Sequence, residues 1–336
     1  MEDKISILIS TKNRKAILQQ TLDVIFHHQN LPHEQFEVIV TNDGTEPLDE
    51  LLTIFPYSNF KIIPNKHKPG AAGGRNNGVD HAQYDIIIFL DDDILVTPTF
   101  FNNVISIHQQ YDDIILGGNR FYPEELIKKA KTYSFGRYKL EHEYQWLEKE
   151  SLKPYKNSIF ISNNLASFSA SMRKSTYKKV GTFNESFEYA GCEDSDFFHR
   201  AKKIGITLLF DEANTCYHNE LDNFSLKAWL KRQSTGIKSA VVMCLLHPEG
   251  KNHPTWFTNT PISNQDEAWV KRLKIKKWFL SQWLIMKFLF AIVWVFEKLS
   301  FPDKILFRLY NALWLGSTYK SFRKAYKEVF LGTVRQ

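Results

Sequence analysis

Residues 84–93 read YDIIIFLDDD, an apolar run that ends in Asp91, Asp92 and Asp93. Consecutive Ile and Phe residues bounded by charges are typical of a buried strand in a parallel sheet. The three carboxylates would then lie at the carboxyl edge of the sheet, where open α/β folds bind their ligands. Because side chains alternate along an extended chain, we expect Asp91 and Asp93 to point one way and Asp92 the other.

Two carboxylates on one side of a strand end repel each other unless a cation lies between them. Oxygen ligands of this kind suit Mg²⁺ or Mn²⁺, which are usually shared with the phosphates of a substrate. Asp91 and Asp93 are therefore candidate metal ligands. A solvated acidic turn after a strand is the alternative.

The segments before this run alternate between strand and helix patterns. Such alternation predicts βαβ units and an α/β fold with a mainly parallel, Rossmann-like sheet flanked by helices. The predicted strands are Ile5–Ile9, Phe36–Val40, Phe60–Ile63 and Asp85–Leu90, and the first predicted helix is Lys15–Gln29.

A segment rich in small residues, Pro69–Gly78, separates the third and fourth predicted strands. Its glycines would let the backbone approach a ligand, and Arg75 offers a fork of donors suited to a diphosphate. The glycine spacing is not that of a dinucleotide fingerprint, and no strand immediately precedes it. A plain tight loop that caps the next helix is the alternative.

The charge is unevenly distributed along the 336 residues. Residues 1–221 hold 24 Lys and Arg against 30 Asp and Glu, whereas residues 222–336 hold 19 against 7 and also seven of the eight Trp. We therefore predict a domain boundary near residue 221, between an acidic domain at 1–221 and a helical, basic C-terminal region at 222–336. A basic aromatic region could meet nucleic acid or an anionic membrane.

The cysteine content indicates a reducing compartment. Cys192, Cys216 and Cys244 are odd in number and lack metal-ligand spacing, which argues against a disulfide-stapled secreted protein and for the cytosol. The first residues do not resemble a secretory signal.

Several motifs follow one another in a fixed order along residues 4–247. Together they resemble those of the inverting family-two glycosyltransferases, which have the nucleotide-diphospho-sugar transferase (GT-A) fold. The matching segments are Ile7–Arg14, Val38–Thr45, Ala72–Gly78, Phe89–Asp93, Ser162–Lys174, Val180–Glu185 and Gly191–Phe197.

The resemblance implies that 1–221 is a catalytic domain, with a nucleotide-sugar half at about 1–120 and an acceptor half at about 121–221. It also implies a role for each matching position. Asp194 would be the general base, with Glu193 and Asp196 on the acceptor side. A D-x-D motif would place Mn²⁺ or Mg²⁺ on Asp93 and Asp91, and a late histidine, His218, would complete the metal shell or touch the diphosphate. The implied donor-nucleotide residues are Thr11, Asn13, Arg14, Asp43, Arg75, Asp91 and Asp92.

The implied activity is transfer of a sugar from a nucleoside-diphosphate sugar, a UDP-sugar by default, to a hydroxyl of a glycan or lipid-linked acceptor. Bacterial surface polysaccharide or glycolipid assembly is the expected setting. A nucleotidyltransferase of similar sheet topology is one alternative. It would need a strongly basic triphosphate-binding loop near the N-terminus, and Lys12, Arg14 and Lys15 only weakly meet that need. A nucleic-acid-binding protein is another, and the apolar run at 278–296 argues against it.

That run has 16 apolar residues in 19, close to the ~20 residues that a membrane span needs. Lys287 at its centre would cost about 2.5–3.5 kcal/mol on insertion, and the basic stretch Lys271–Lys277 precedes it. We therefore expect residues 267–330 to contact the inner face of the cytoplasmic membrane peripherally. A packing subdomain, including one that contacts a second copy in a homo-oligomer, and a true span are the alternatives. The predicted helices here are Ser225–Leu246, Glu267–Leu299 and Pro302–Phe330.

Overall fold

The computed structural model describes residues 3–144, 152–187, 191–220 and 224–333 of the chain. Residues 141–149, which the sequence pattern predicts to be helical, lie mostly outside the described residues. The strands are β1 (Ile5–Thr11), β2 (Phe36–Asn42), β3 (Phe60–Pro64), β4 (Ile86–Asp91), β5 (Ile94–Val96), β6 (Ile114–Phe121), β7 (Lys153–Lys156), β8 (Ile159–Ile161), β9 (Ser171–Arg173) and β10 (Thr207–His218). The helices are α1 (Lys15–His27), α2 (Asp49–Ile54), α3 (Ala71–His81), α4 (Phe100–Gln110), α5 (Glu124–Lys131), α6 (Ser134–Tyr144), α7 (Lys174–Val180), α8 (Glu193–Lys203), α9 (Leu226–Leu246), α10 (Pro254–Phe257), α11 (Ala268–Leu280), α12 (Trp283–Lys298) and α13 (Asp303–Thr333).

The strands form one mixed sheet in the order β3-β2-β1-β4-β9-β6-β10-β8-β7, with β5 also paired to β10. The pairs β1–β2, β1–β4, β2–β3 and β6–β10 are parallel and hold most of the paired residues. The short strand β9 is antiparallel to both of its neighbours, β4 and β6. The α/β prediction, with a mostly parallel sheet flanked by helices, is confirmed.

The apolar runs form the central strands because both faces of the sheet are covered. Alternate residues of β1 enter two different clusters, with Ile7 among residues of α1 and α4, and Leu8 among residues of α3, α7 and α8. Each fully buried Ile, Leu or Phe of this kind contributes about 1.5–3 kcal/mol.

The chain divides into two compact units. The sheet unit comprises Met1–Pro123, Lys149–Glu188 and Glu193–Glu220, and the helical unit comprises Glu124–Glu148, Tyr189–Cys192 and Leu221–Gln336. The domain boundary at residue 221 stays a prediction.

The helical unit has its own aromatic core. Trp229 of α9 and Tyr310 of α13 are fully buried there, together with Phe135 of α6. Arg137 of α6 donates two hydrogen bonds to the Asp303 carboxylate, of 2.6 and 2.8 Å, at the start of α13. Packing and a bidentate ion pair therefore both hold α6 against α13.

The single helix predicted at Glu267–Leu299 is wrong, because the structure has α11 and α12 meeting at a 75° bend. At the break, Ser281 Oγ and Gln282 Nε2 donate to the Trp278 carbonyl oxygen, at 2.6 and 2.8 Å. Such side-chain bonds to the backbone compete with a continuing helix. Within the described ranges, no single helix has both the length and the hydropathy of a membrane span. Helices α11 and α12 have that length and hydropathy only when they are counted together across the bend.

The crossing of α13 with α11 depends on a glycine. A Cβ atom at Gly316 would lie 2.6 Å from the Leu280 carbonyl oxygen and 3.0 Å from the Met286 sulfur. We expect Gly316→Ala to lower the free energy of unfolding by about 1–3 kcal/mol, as overpacking does in a filled core. Lys320→Ala, at an exposed position of the same helix, should change it by less than about 0.5 kcal/mol. Urea unfolding of both variants measures the difference, and equal stabilities would contradict this reading of the crossing.

Candidate active site

The carboxyl ends of three parallel strands bring the acidic triplet beside the loop after β1. Ser10 is paired with Asp91 across β1 and β4, and Thr11 is paired with Asn42 across β1 and β2. The chain segments that leave these strands therefore lie side by side at one edge of the sheet. This is the edge at which open α/β folds bind ligands.

Arg14 joins two members of the triplet. Its guanidinium donates to Asp92 Oδ1 at 2.6 Å and to Asp93 Oδ2 at 2.9 Å, while Thr11 Oγ1 donates to the other Asp92 oxygen at 2.6 Å. Strand β4 ends at Asp91 and the chain turns at the next two residues. The expected alternation of side chains therefore stops at Asp91, and Asp92 shares a partner with Asp93 instead of opposing it.

The end of β10 completes this cluster. His218 Nε2 lies 3.3 Å from Asp93 Oδ1, and the Asn219 amide donates to the Asp93 carbonyl oxygen at 2.7 Å. On the other side of the ring, Arg120 Nη1 donates to His218 Nδ1 at 3.4 Å. Glu220 Oε2 lies 3.6 Å from the same Nδ1.

Two of these neighbours, Arg120 and Glu220, were not predicted from the sequence. Arg120 follows the apolar residues Ile114–Leu116 of β6, and Glu220 follows the end of β10. The rule that selected the acidic triplet, polar residues directly after an apolar run, would have selected neither. Residues 117–119 separate Arg120 from its apolar run, and residues 211–219 separate Glu220 from the apolar part of β10.

Burial and the local charges shift the pKa values of two adjacent carboxyl groups in opposite directions. Burial raises the pKa of Asp92 to about 6, against the opposing effects of Arg14 and Thr11. Burial also acts on Asp93, but His218 and Arg14 outweigh it and hold the pKa of Asp93 well below its usual range. Asp93 is therefore ionised throughout the physiological pH range, as a metal ligand must be.

The residues present fit a divalent cation. Adjacent ligands around a small octahedral ion, each bound at 2.0–2.1 Å, lie roughly 3 Å apart, close to the separation of 3.3 Å between Asp93 Oδ1 and His218 Nε2. The Asp91 side chain is 38% exposed and has a single oxygen bonded to Arg75. Carboxylate oxygens suit Mg²⁺ or Mn²⁺, and an added imidazole favours Mn²⁺.

Arg75 lies on α3, although the sequence suggested a loop for this segment. The helix packs so closely on β1 that a Cβ atom at Gly74 would overlap the Ser10 hydroxyl. This close packing requires glycine at position 74. The buried guanidinium donates to Asp91 Oδ1 at 2.9 Å and to Glu193 Oε1 at 2.8 Å. Burial opposes its charge, but these two carboxylates outweigh burial and raise the pKa of Arg75 above its usual value. Arg75 therefore links the end of β4 to the start of α8.

Asp194 lies in the first turn of α8, next to Glu193. Burial, followed by the Glu193 carboxylate, raises the pKa of Asp194 to about 6, although Arg75 opposes this. Its oxygens accept hydrogen bonds from the amides of Ser195, at 2.7 Å, and Ser167, at 3.4 Å. A carboxyl group with a pKa near the working pH can accept a proton in a reaction and release it again.

Asp196 is buried and differs from its neighbours in its partner. It accepts a 2.9 Å hydrogen bond from Arg200, which also donates to the carbonyl oxygens of Val180 and Thr182. These contacts hold α8 against the segment after α7. Contact of Asp196 with an acceptor stays a prediction.

Asp43 and Asn13 organise the loops after β2 and β1. Asp43 accepts hydrogen bonds from Asn65, at 2.6 Å, and from the Gly70 amide, at 3.0 Å, and Lys12 lies 3.2 Å away. Asn13 has a left-handed backbone, with φ of 56°, and its side-chain oxygen accepts from the amides of residues 45 and 46. Their contact with a nucleotide stays a prediction.

Comparison with known proteins assigns the class. The family model described as Glycosyl transferase family 2 matches residues 6–180, which is over half of the chain. The chain therefore belongs to glycosyl transferase family 2, and the resemblance predicted from the motifs is confirmed.

A curated relative is the hyaluronan synthase of Pasteurella multocida, which is 28% identical over 247 residues covering 64% of this chain and 24% of that protein. The chain spans between about a quarter and about half of the length of the curated relatives that it matches first.

Two solved structures share the fold. One is the mannosyltransferase PcManGT from Pyrobaculum calidifontis in complex with GDP-Man and Mn²⁺, with 12% identity, a TM-score of 0.57, and coverage of 94% of this chain and 86% of that one. The other is GalNAc-T7 with UDP, GalNAc and Mn²⁺, with 13% identity, a TM-score of 0.52, and coverage of 84% and 56%. These likenesses confirm the predicted GT-A fold.

Proposed function

We propose that this chain is a metal-dependent, inverting glycosyltransferase that moves a sugar from a nucleoside-diphosphate sugar to a hydroxyl group of its acceptor. One observation carries the proposal. A cation-compatible pair, Asp93 and His218, and a carboxyl group suited to proton transfer, Asp194, belong to the same sheet unit. The buried Arg75 bridges Asp91, in the acidic triplet, and Glu193, beside Asp194.

The donor would bind along the edge formed by β1, β2 and β4. Asp93, His218 and Asp91 would hold a divalent cation, which supplies positive charge to offset the charge of the departing diphosphate. The two solved relatives were crystallised with Mn²⁺ and with nucleotides of different bases, UDP and GDP-Man. We therefore propose Mn²⁺ as the ion and a UDP-sugar as the first donor to test.

Asp194 is the proposed general base that activates the acceptor hydroxyl. Its carboxylate takes the proton of the acceptor hydroxyl while that oxygen forms a bond to the anomeric carbon. The bond between this carbon and the diphosphate oxygen breaks on the opposite side, so the anomeric configuration inverts. Glu193, bonded to Arg75, holds the start of α8 in place for this step.

A glycan or a lipid-linked sugar is the proposed acceptor, in surface polysaccharide or glycolipid assembly at the inner face of the cytoplasmic membrane. The relationship to a hyaluronan synthase supports a glycan acceptor. The excess of basic residues in 222–336, with 19 Lys and Arg against 7 Asp and Glu, supports a location beside anionic lipid.

Thermal unfolding with a panel of nucleoside diphosphates tests the donor half directly. We expect one of UDP, GDP and dTDP to raise the melting temperature, and to do so more strongly with Mn²⁺ than with EDTA. At a ligand concentration 100 times Kd the stabilisation would be about 2.7 kcal/mol. The matching nucleoside monophosphate is the control, because it lacks the second phosphate of the proposed leaving group. A melting temperature that no diphosphate changes, with or without the ion, would contradict the proposal.

A further inference from the structure

The outward side of α11 and α12 consists of aromatic and aliphatic side chains. No other part of the described helical unit covers these side chains, so they are exposed. Trp283 is 59% exposed, Leu284 68% and Trp294 63%. We call this surface the aromatic face. Its members are Ile275, Trp278, Phe279, Trp283, Leu284, Phe288, Trp294 and Val295.

Apart from Lys287 and its last two residues, Glu297 and Lys298, helix α12 has apolar side chains on every side. Its inward side places Val293, Met286 and Leu289 in the core of the helical unit. Its outward side carries Leu284 and Phe288, which are four residues apart and lie one above the other. A helix at the surface of a soluble protein normally turns charged or polar residues outward, so an all-apolar helix implies a second apolar contact.

The charges around the aromatic face are predominantly positive, and the two glutamates at its ends, Glu267 and Glu297, accept hydrogen bonds from Trp269 and Tyr310. Residues 268–296 hold six Lys and Arg and no Asp or Glu. Two of the six point inward, because Lys274 bonds to Asp266 at 2.7 Å and Lys277 bonds to Thr258 at 2.7 Å. The outward ones include Arg272 and Lys276 of α11.

A further cation stands among the aromatic residues themselves. Lys287 is exposed, and its ammonium group lies 3.9 Å from the centre of the Trp283 ring. Its long aliphatic stem can lie along apolar surface while the charge reaches the polar side of an interface. A lysine inside this surface is therefore compatible with the headgroup layer of a bilayer.

We propose that the aromatic face binds the interface of an anionic lipid bilayer, with α12 lying in the plane of the membrane. The 16 residues of α12 extend about 24 Å, less than the ~30 Å of a hydrocarbon core, and α11 leaves it at 75°. Exposed Trp and basic residues on one face are the composition of interfacial helices. This contact does not depend on the proposed sugar transfer.

The charge pattern favours lipid over a second copy of this chain. In a two-fold symmetric dimer, the aromatic face would meet itself and bring Arg272, Lys276 and Lys287 toward the same cations of the other copy. The face has no acidic residue to pair with them. Anionic headgroups supply the missing negative charge.

Co-sedimentation of the full chain with phosphatidylcholine vesicles, with and without phosphatidylglycerol, tests the proposal. We expect binding that requires the anionic lipid and weakens with salt. The combined change Trp278→Ser, Trp283→Ser and Phe288→Ser should reduce binding at least about tenfold, because it removes the buried apolar area. Its control replaces the exposed Tyr155 and Ile204 of the sheet unit by Ser.

The basic residues have a test of their own. Each Lys or Arg near an anionic surface contributes about fivefold to partitioning, so Arg272→Gln with Lys276→Gln should reduce binding about 25-fold at low salt. Lys128→Gln with Lys129→Gln, exposed on α5, is the charge-matched control. Quenching of Trp emission by brominated lipid should show shallow insertion.

Three results would overturn the proposal. One is that the folded wild-type protein does not bind anionic vesicles. Another is that the triple aromatic variant binds the vesicles as strongly as the wild type. The third is a wild-type dimer in solution that the triple variant converts to monomer without any effect on vesicle binding. Nucleoside-diphosphate binding by all variants is measured separately, so its loss would concern the proposed reaction instead.

Discussion

Replacement of Asp194 by Asn is expected to reduce turnover by about 10²–10⁴-fold while nucleoside-diphosphate binding stays intact. The amide keeps the size of the carboxyl group, and its one oxygen can still accept from the Ser195 amide, whereas the longer bond from the Ser167 amide is lost. It cannot take a proton from the acceptor. Measurement of kcat and of donor affinity separates the two effects. A variant that retains more than half of the wild-type rate would rule out Asp194 as the base.

The pH profile gives the same hypothesis a second readout. Because the base must be ionised and burial raises the pKa of Asp194 to about 6, the wild-type rate should be full above about pH 7 and fall about tenfold per unit below pH 6. Asp194→Asn should lack this acid limb. Asp112→Asn, on an exposed side chain, should keep both the rate and the limb.

Stability distinguishes this loss of activity from misfolding. The pKa of Asp194 is higher in the folded than in the unfolded chain, so the folded state binds the proton more tightly and the ionised group costs stability above pH 6. Asp194→Asn removes that cost. The variant should therefore melt no lower than wild type at pH 7.5, and a large decrease would indicate a structural role instead.

Replacement of Asp93 by Ala or Asn is expected to abolish the effect of Mn²⁺ on donor binding. Loss of even an outer-shell partner of a metal site weakens affinity by about 10–100-fold, so loss of a ligand should cost at least as much. Isothermal titration of UDP, with Mn²⁺ and with EDTA, measures the difference. Unchanged nucleotide affinity under both conditions would contradict the assignment.

The two substitutions at Asp93 differ in their risk to the fold. Ala removes the carboxylate that faces Arg14 and the buried His218, whereas Asn keeps a polar group of the same size. If Asp93→Ala fails to fold, Asp93→Asn still tests the metal. Asp112→Asn again serves as the exposed control.

The central strands were predictable because burial on both faces leaves a direct trace in sequence. Runs such as Ile86–Leu90 contain only apolar residues, and the polar residues that follow them mark the ligand-binding edge. The side-chain directions within the triplet were not predictable, because they depend on Arg14, which is distant in sequence from Asp92 and Asp93.

The predicted helix boundaries were wrong where a tertiary or local contact, which periodicity does not reveal, determines the boundary. The glycines of α3 suggested a loop, but close packing of Gly74 against β1 makes a helix possible. The apolar pattern of 267–299 suggested one helix, and the local bonds of Ser281 and Gln282 to Trp278 end it early. Arg120 and Glu220 were missed because neither directly follows an apolar run.

The tie between the acidic triplet and the end of β10 has a consequence for biosynthesis. His218 and Asn219 both contact Asp93, and β10 also pairs with β5, which directly follows the triplet. At 5–20 residues per second, the ribosome needs roughly 6–25 s to make the ~125 residues between Asp93 and His218. During that time the early strands already expose Asp91, Asp92 and Asp93 without their histidine. The nascent chain therefore acquires the complete set of proposed cation ligands only after translation has passed His218.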